Sequence, residues 1–323
     1  MRDPRDYTRY VMAKAVGGGD PMLALGYAKA HLGPDNATVK LLQKDAMASG
    51  NLGDDPDFRA AGRAFVEIVK ARSLLGKIQA AVGFRTVPFH TPILTQQAAP
   101  VATWVSEGGP IQVASGSFER SKLVDRKLAG IVVMTTELLK GTGATFESAV
   151  SRELVRGIAA LEGSSFIDPT NAGAAGVSPA SITHGITPIP GTGNAAKDIA
   201  ALLDAFQGDL ETAVFITSPE AGVSLNAAGF LGAGALGGDI GGIPQVTSST
   251  VQPGTVVLVD AAGVLLADDG VIMDTTDQAT LIDSDGQPLN LYMENLSAIK
   301  VVRHLNWEVA RAGAVALLTG ATW

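Results

Sequence analysis

The sequence predicts an α+β protein, and three observations carry that prediction. Helical and strand-like hydrophobic patterns follow one another in mixed order, not as a regular alternation of strand and helix. Apolar residues make up 46% of the 323 residues and charged residues 17%, enough apolar surface for real cores in a chain of two-domain length. Charge is also unevenly spread: from Asp198 to Ile299 there is no Lys or Arg, while fourteen Asp or Glu fall in that stretch.

Residues 1–60 are broken into short pieces by Gly- and Asp-rich joints and read as an arm with short helices and little core of its own. From Asp57 the apolar spacing becomes helical, through Phe58, Phe65, Ile68 and Val69 and on to Leu74, Leu75 and Ile78. Residues 85–140 contain two extended stretches flanking Trp104-Val-Ser-Glu-Gly-Gly-Pro110, which predicts a long β-hairpin turning near Glu107–Pro110. A hairpin with polar-mixed faces is marginal alone and needs something to lie on. The spacing of Val150, Leu154, Ile158 and Leu161 predicts a helix over 145–167, with Thr145 as N-cap and Glu147 at the positive end of the helix dipole.

A Gly/Pro/Ser-rich stretch over 171–193 reads as a linker into a second unit. There Asn194 caps a helix with the stripe Ile199, Leu202, Leu203 and Phe206. A strand at 213–217 follows, and Ser218-Pro219-Glu220 opens another helix. Short strands are expected at 245–249, 255–260, 263–267 and 271–275, with a turn at Asp269-Gly270. The alternation across 291–318 predicts two long strands joined by a turn.

Composition excludes several chemistries. Cys is absent, so disulfides, thiolate metal sites and Cys nucleophiles are impossible, and four scattered His do not suggest a metal centre. No apolar run approaches the ~20 residues of a membrane span. The acidic stretch lacks the basic groups that phosphate contacts need. Gly232-Ala-Gly-Ala-Leu-Gly237 matches the dinucleotide fingerprint, but it follows a predicted helix and precedes no helix-forming sequence, so it reads as a loop. Asp283-Ser-Asp285-Gly286 lacks the first and last ligands of a calcium loop. Asp268 and Asp269 sit at the predicted turn, where Asp is favoured for local reasons. No catalytic, cofactor-binding or metal residue is expected.

One surface stands out. Trp104 and Glu107 lie near the hairpin tip, and Arg120, Lys122, Arg126 and Lys127 cluster on the returning arm. These six are the candidate inter-subunit residues: either a solvated strand face, or a surface that meets the acidic half of another subunit.

Several blocks in order resemble the major capsid proteins of tailed double-stranded DNA phages, whose fold is named after phage Hong Kong 97. They are Trp104–Pro110, Ser117–Arg120 with Ile131–Met134 and Glu137–Leu139, Phe146–Val150 with Leu161-Glu162, Phe215–Pro219, Gly242–Val246, Gly254–Asp260 and Asn306–Gly313. The resemblance covers roughly residues 60–320. It implies an N-terminal arm (1–60), a peripheral domain with a long spine helix (61–87, 123–189 and 296–323), an extended loop (88–122) and an axial α/β domain (190–295). It further implies a non-enzymatic structural subunit that assembles into pentamers and hexamers of an icosahedral shell around packaged DNA. An encapsulin-type compartment is the alternative reading of the same fold. Other copies of the chain would be its main partner, with a portal protein and scaffolding or decoration proteins besides, and no membrane. Assembly would occur in the bacterial host cytoplasm and the product would reside in the virion capsid. The Lys–Asn cross-link of the founding relative is not expected, since no Lys occurs between Thr91 and Glu119. Residues 1–57 lack the charged helical repeat of a cleaved scaffolding segment, so none of that size is expected.

Overall fold

Short helices, a hairpin, one long helix and two larger sheets follow one another in the computed structural model, which describes residues 5–18, 20–47, 67–96, 118–137, 144–282 and 285–323. The helices are α1 (Arg5–Val16), α2 (Pro21–Leu32), α3 (Ala37–Met47), α4 (Leu74–Ala81), α5 (Ala144–Ile167), α6 (Ala195–Ala205) and α7 (Pro219–Ala227). The first strands are β1 (Arg85–Thr86), β2 (Pro92–Gln96), β3 (Phe118–Lys122), β4 (Lys127–Thr135), β5 (Ile189–Pro190), β6 (Ala213–Thr217) and β7 (Gly238–Ile240). Then come β8 (Ile243–Thr247), β9 (Val256–Asp260), β10 (Val264–Thr276), β11 (Thr280–Ile282), β12 (Pro288–Asn290), β13 (Leu296–Val309) and β14 (Val315–Thr319). The chain divides into two compact units.

The first unit takes Met1–Ser73, Lys127–Leu161 and Asp269–His304. β13 runs antiparallel to β4, from Leu296 opposite Thr135 to His304 opposite Lys127, and β10 follows on its other side. Residues 5–47 form short helices whose apolar faces join a larger core. Tyr7, Val11, Leu25, Val39 and Leu42 of α1–α3 share a core with Leu154, Val155 and Ile158 of α5 and Ile299 and Val301 of β13. The Gly- and Asp-rich joints cap and turn these helices instead of dissolving them. Asp20 accepts from the amide of Met22 at 2.7 Å with Pro21 at the first helical position, and Gly33 ends α2 at φ 82°. Tyr10 donates to Asp45 at 2.8 Å, and Lys14 pairs with the same carboxylate at 2.9 Å. Burial and the Asp45 carboxylate push the Tyr10 phenol far above its usual pKa.

The second unit takes Leu74–Arg126, Glu162–Asp268 and Leu305–Trp323. Its six-stranded sheet has the order β5-β14-β9-β6-β8-β7. The central strands β6 and β9 are buried throughout, as the apolar runs Ala213–Ile216 and Val256–Val259 require. Ile199 and Leu202 of α6, Phe206 just past its end and Leu225 of α7 pack on Phe215, Val256, Leu258 and Leu318 of the sheet. Both helix starts form as the sequence predicts: Asn194 accepts from the amide of Lys197, and Ser218 from that of Ala221. Phe166 stacks edge-on against Trp307 at 5.3 Å and Phe84 at 6.0 Å, and the Trp307 indole donates to the Ala180 carbonyl at 2.8 Å. The stretch read as a linker is thus held down; Thr183 also donates its hydroxyl to the Ile167 carbonyl at 2.8 Å.

Three further expectations change. Asp269-Gly270 makes no turn: β10 runs through it, with Gly270 taking φ 95°, a conformation open to a residue without Cβ. Asp268 and Asp269 therefore lie on a strand. The extended stretch after residue 126 does not continue the hairpin, because β4 pairs with β13. The long helix begins at Ala144, which puts Thr145 inside its first turn and not at its cap.

Candidate inter-subunit surface

The hairpin is built from its base upward. β2 pairs antiparallel with β3, Pro92 opposite Lys122 and Gln96 opposite Phe118. At the base Leu123 is buried with Leu265 and Ala267, against Val87, Phe89 and Ile93. His90 closes it at φ 61°, donating its amide to the Leu123 carbonyl at 2.8 Å, while its ring faces Asp125 at 3.3 Å.

The period-2 pleat sets Arg120 and Lys122 on one face of β3 and Ser121 on the other, where its hydroxyl donates to Glu308. Arg126 follows the strand and donates no side-chain hydrogen bond within the described residues; its Nε is buried without an acceptor. Lys127 opens β4 opposite His304. Among the described residues, none of these four cations has an ion-pair partner. Trp104, Glu107 and the predicted turn at Glu107–Pro110 lie outside the described residues.

Behind the cations lies a cleft of about 650 Å³, lined in part by Lys122, Arg126, His184, Trp307 and Arg311. Its floor is apolar: Leu123, Ile182 and Trp307 are all buried. Asn306 fixes one wall by donating to the Val124 carbonyl at 2.6 Å. Arg311 binds Asp260 at 3.0 Å, a fully buried carboxylate that also accepts from the hydroxyl of Thr212 at 2.6 Å. The candidate cluster did not include Glu308, Arg311 or the Trp307 floor. They come from a segment nearly two hundred residues away, and only the Trp-Glu-Val-Ala-Arg block marked them.

The acidic stretch supplies the opposite charge. In the second unit Asp204, Asp209, Glu211, Glu220 and Asp239 are exposed, and none has an ion-pair partner among the described residues. The Gly232–Gly237 loop runs into strand β7 and not into a helix, so it lacks the helix N-terminus that a dinucleotide needs. Among the described residues no three His, Asp or Glu side chains converge as metal ligands.

A two-unit α+β chain with this sheet and hairpin has the Hong Kong 97-type capsid fold. Its likeness to solved chains carries that statement: Mycobacterium phage Cain gives a TM-score of 0.55 at 16% identity, covering 76% of this chain and 90% of that one. A chain described as the capsid of a native GTA particle gives 0.53 at 13% identity, covering 76% and 90%. The chain belongs to the phage capsid family, whose model matches residues 89–319. Among curated relatives, the "Capsid polyprotein" of Pseudomonas phage PAJU2 is 30% identical over 98% of this chain and 54% of its own length. The "Major capsid protein" of Halomonas phage phiHAP-1 is 27% identical over 78% of this chain and 42% of its own. The chain thus spans about half the length of the curated relatives it matches.

Proposed function

We propose that this chain is the major capsid subunit of a tailed phage or related particle, assembling with copies of itself into pentamers and hexamers of an icosahedral shell around packaged double-stranded DNA. The observation that carries this reading is the charge balance of the folded chain. Four cations on and beside the hairpin's returning strand lack ion-pair partners among the described residues, while exposed carboxylates elsewhere lack cations. Such charges are complemented when copies meet, and many modest interfaces repeated by symmetry close a shell.

On this reading residues 88–122 are the extended loop, 190–295 the axial domain, and 61–87, 123–189 and 296–323 the peripheral domain. The work is mechanical, with no catalytic step. A portal protein, and scaffolding or decoration proteins where present, would be further partners, and assembly would take place in the host cytoplasm. Among the described residues no helix is long and apolar enough to cross a membrane. The relatives being phage capsid proteins favours this reading over an encapsulin.

The test is charge reversal of Lys122 and Arg126, followed by sedimentation of the expressed protein with and without EDTA. Assembly should fall by about tenfold or more in the variant, or on removal of divalent cations if these bridge the carboxylates. Equal particle yield in all arms contradicts the electrostatic basis.

A further inference from the structure

The second unit carries two complementary surfaces at opposite ends of its six-stranded sheet. At one end is the cleft of Lys122, Arg126 and Arg311 over Leu123, Ile182 and Trp307, whose wall includes the start of β14. At the other end is β7, four strand spacings from β14, or about 19 Å. There Asp239 of β7 is exposed, as are Glu220 of α7 and the two barest leucines among the described residues, Leu231 at 83% and Leu236 at 99%.

The loop that carries these leucines is held in place. Asn226 donates to the carbonyls of Leu231 and Ala233, Gln245 accepts from the Gly234 amide, Thr247 donates to the Ala235 carbonyl, and the Asp239 amide donates to the Gly232 carbonyl. A glycine loop tied down by side chains presents its leucines at little further entropy cost on docking. Gly238, at φ 148°, would place a Cβ 1.9 Å from the Gly232 carbonyl oxygen, so the close turn itself depends on glycine.

We infer that the glycine-loop edge of one copy, Leu231 and Leu236 with the carboxylates Glu220 and Asp239, seats in the Lys122–Arg126–Trp307 cleft of the next. This deepens the shell reading and rests on it. The occupant is a second copy because this chain itself supplies the match on both counts, apolar side chains for an apolar floor and carboxylates for a cationic rim. Because the two surfaces are different and lie at opposite ends of one sheet, the contact is head-to-tail, the kind that closes into a ring when the rotation permits. The Arg126 guanidinium, which donates no side-chain hydrogen bond within the described residues, gains carboxylate acceptors on the docking copy.

The chain has no Cys, so introduced thiols report cleanly. Full-length chain carrying Leu236→Cys and Ala312→Cys, treated with a short bismaleimide, should give a ladder of linked oligomers, and each single variant should not. Charge exchange supplies the second arm. Lys122→Glu with Arg126→Glu should abolish particles, and adding Glu220→Lys with Asp239→Lys should restore them. Adding Asp204→Lys with Glu211→Lys instead, the same charge change at the end of α6 and in the turn after it, should not. Wild-type particles with no double-Cys ladder, or equal rescue by the Asp204 and Glu211 changes, overturn this contact and leave the shell reading standing. A wild-type chain that forms no particles even with its neighbouring gene products overturns both.

Discussion

Asp198 lies in the first turn of α6, buried, and accepts from the amide and hydroxyl of Thr192 at 2.9 and 2.6 Å and from the indole of Trp323 at 2.8 Å. Burial alone would raise its pKa, but the hydrogen bonds from Thr192 and Trp323 outweigh it and hold the carboxyl below its usual value. The folded value lies below the unfolded one, so the stabilisation is complete above the ordinary carboxylate pKa of about 4 and is lost as pH falls through the lower folded value. Thermal melts of Asp198→Asn between about pH 2 and pH 6 should show a shallower acid limb than wild type. Trp323→Phe should cost about 1 kcal/mol by removing one donor. Trp307→Ala should cost about 3–5 kcal/mol in urea unfolding, because it empties the stack on Phe166 and strands the Ala180 carbonyl. At this scale helix caps were legible: Asn194 and Ser218 act locally, and so does their sequence signal. The Asp198–Trp323 and Asp260–Arg311 bonds join residues 125 and 51 positions apart, and no local pattern marks them.

Elements were legible where hydrophobic periodicity was strong and misread where Gly or Asp was taken as a breaker. The long helix, the helices α6 and α7 and the closing strands emerged near their observed bounds. The N-terminal helices were seen as short pieces, yet their apolar faces belong to a shared core that only the distant strands complete. Leu42→Ala on α3, fully buried, should therefore destabilise the unassembled subunit by about 3 kcal/mol, while Leu23→Ala on α2, 64% exposed, should change it by less than about 0.5 kcal/mol. Urea unfolding of the two variants side by side checks the contrast; equal effects would contradict that shared core. Gly270 carries the same lesson. Asp-Gly reads as a turn from sequence, but β10 runs straight through it from Val264 to Thr276 and uses the glycine only to admit a positive φ.

For the molecule as a whole, the candidate site was half legible. The basic residues stood out as a run, and the cation-free stretch stood out as a deficit, because both are properties of composition. The cleft behind the cations and the exposed leucines opposite them depend on tertiary structure, and the sequence could not assemble them. The central claim is that this chain finds its charge partners in copies of itself. Light scattering of the expressed full chain tests it most directly, with electron microscopy of the same sample. The account predicts isometric particles of megadalton mass, alone or with its neighbouring gene products. A 33.1 kDa monomer that persists under both conditions would contradict it.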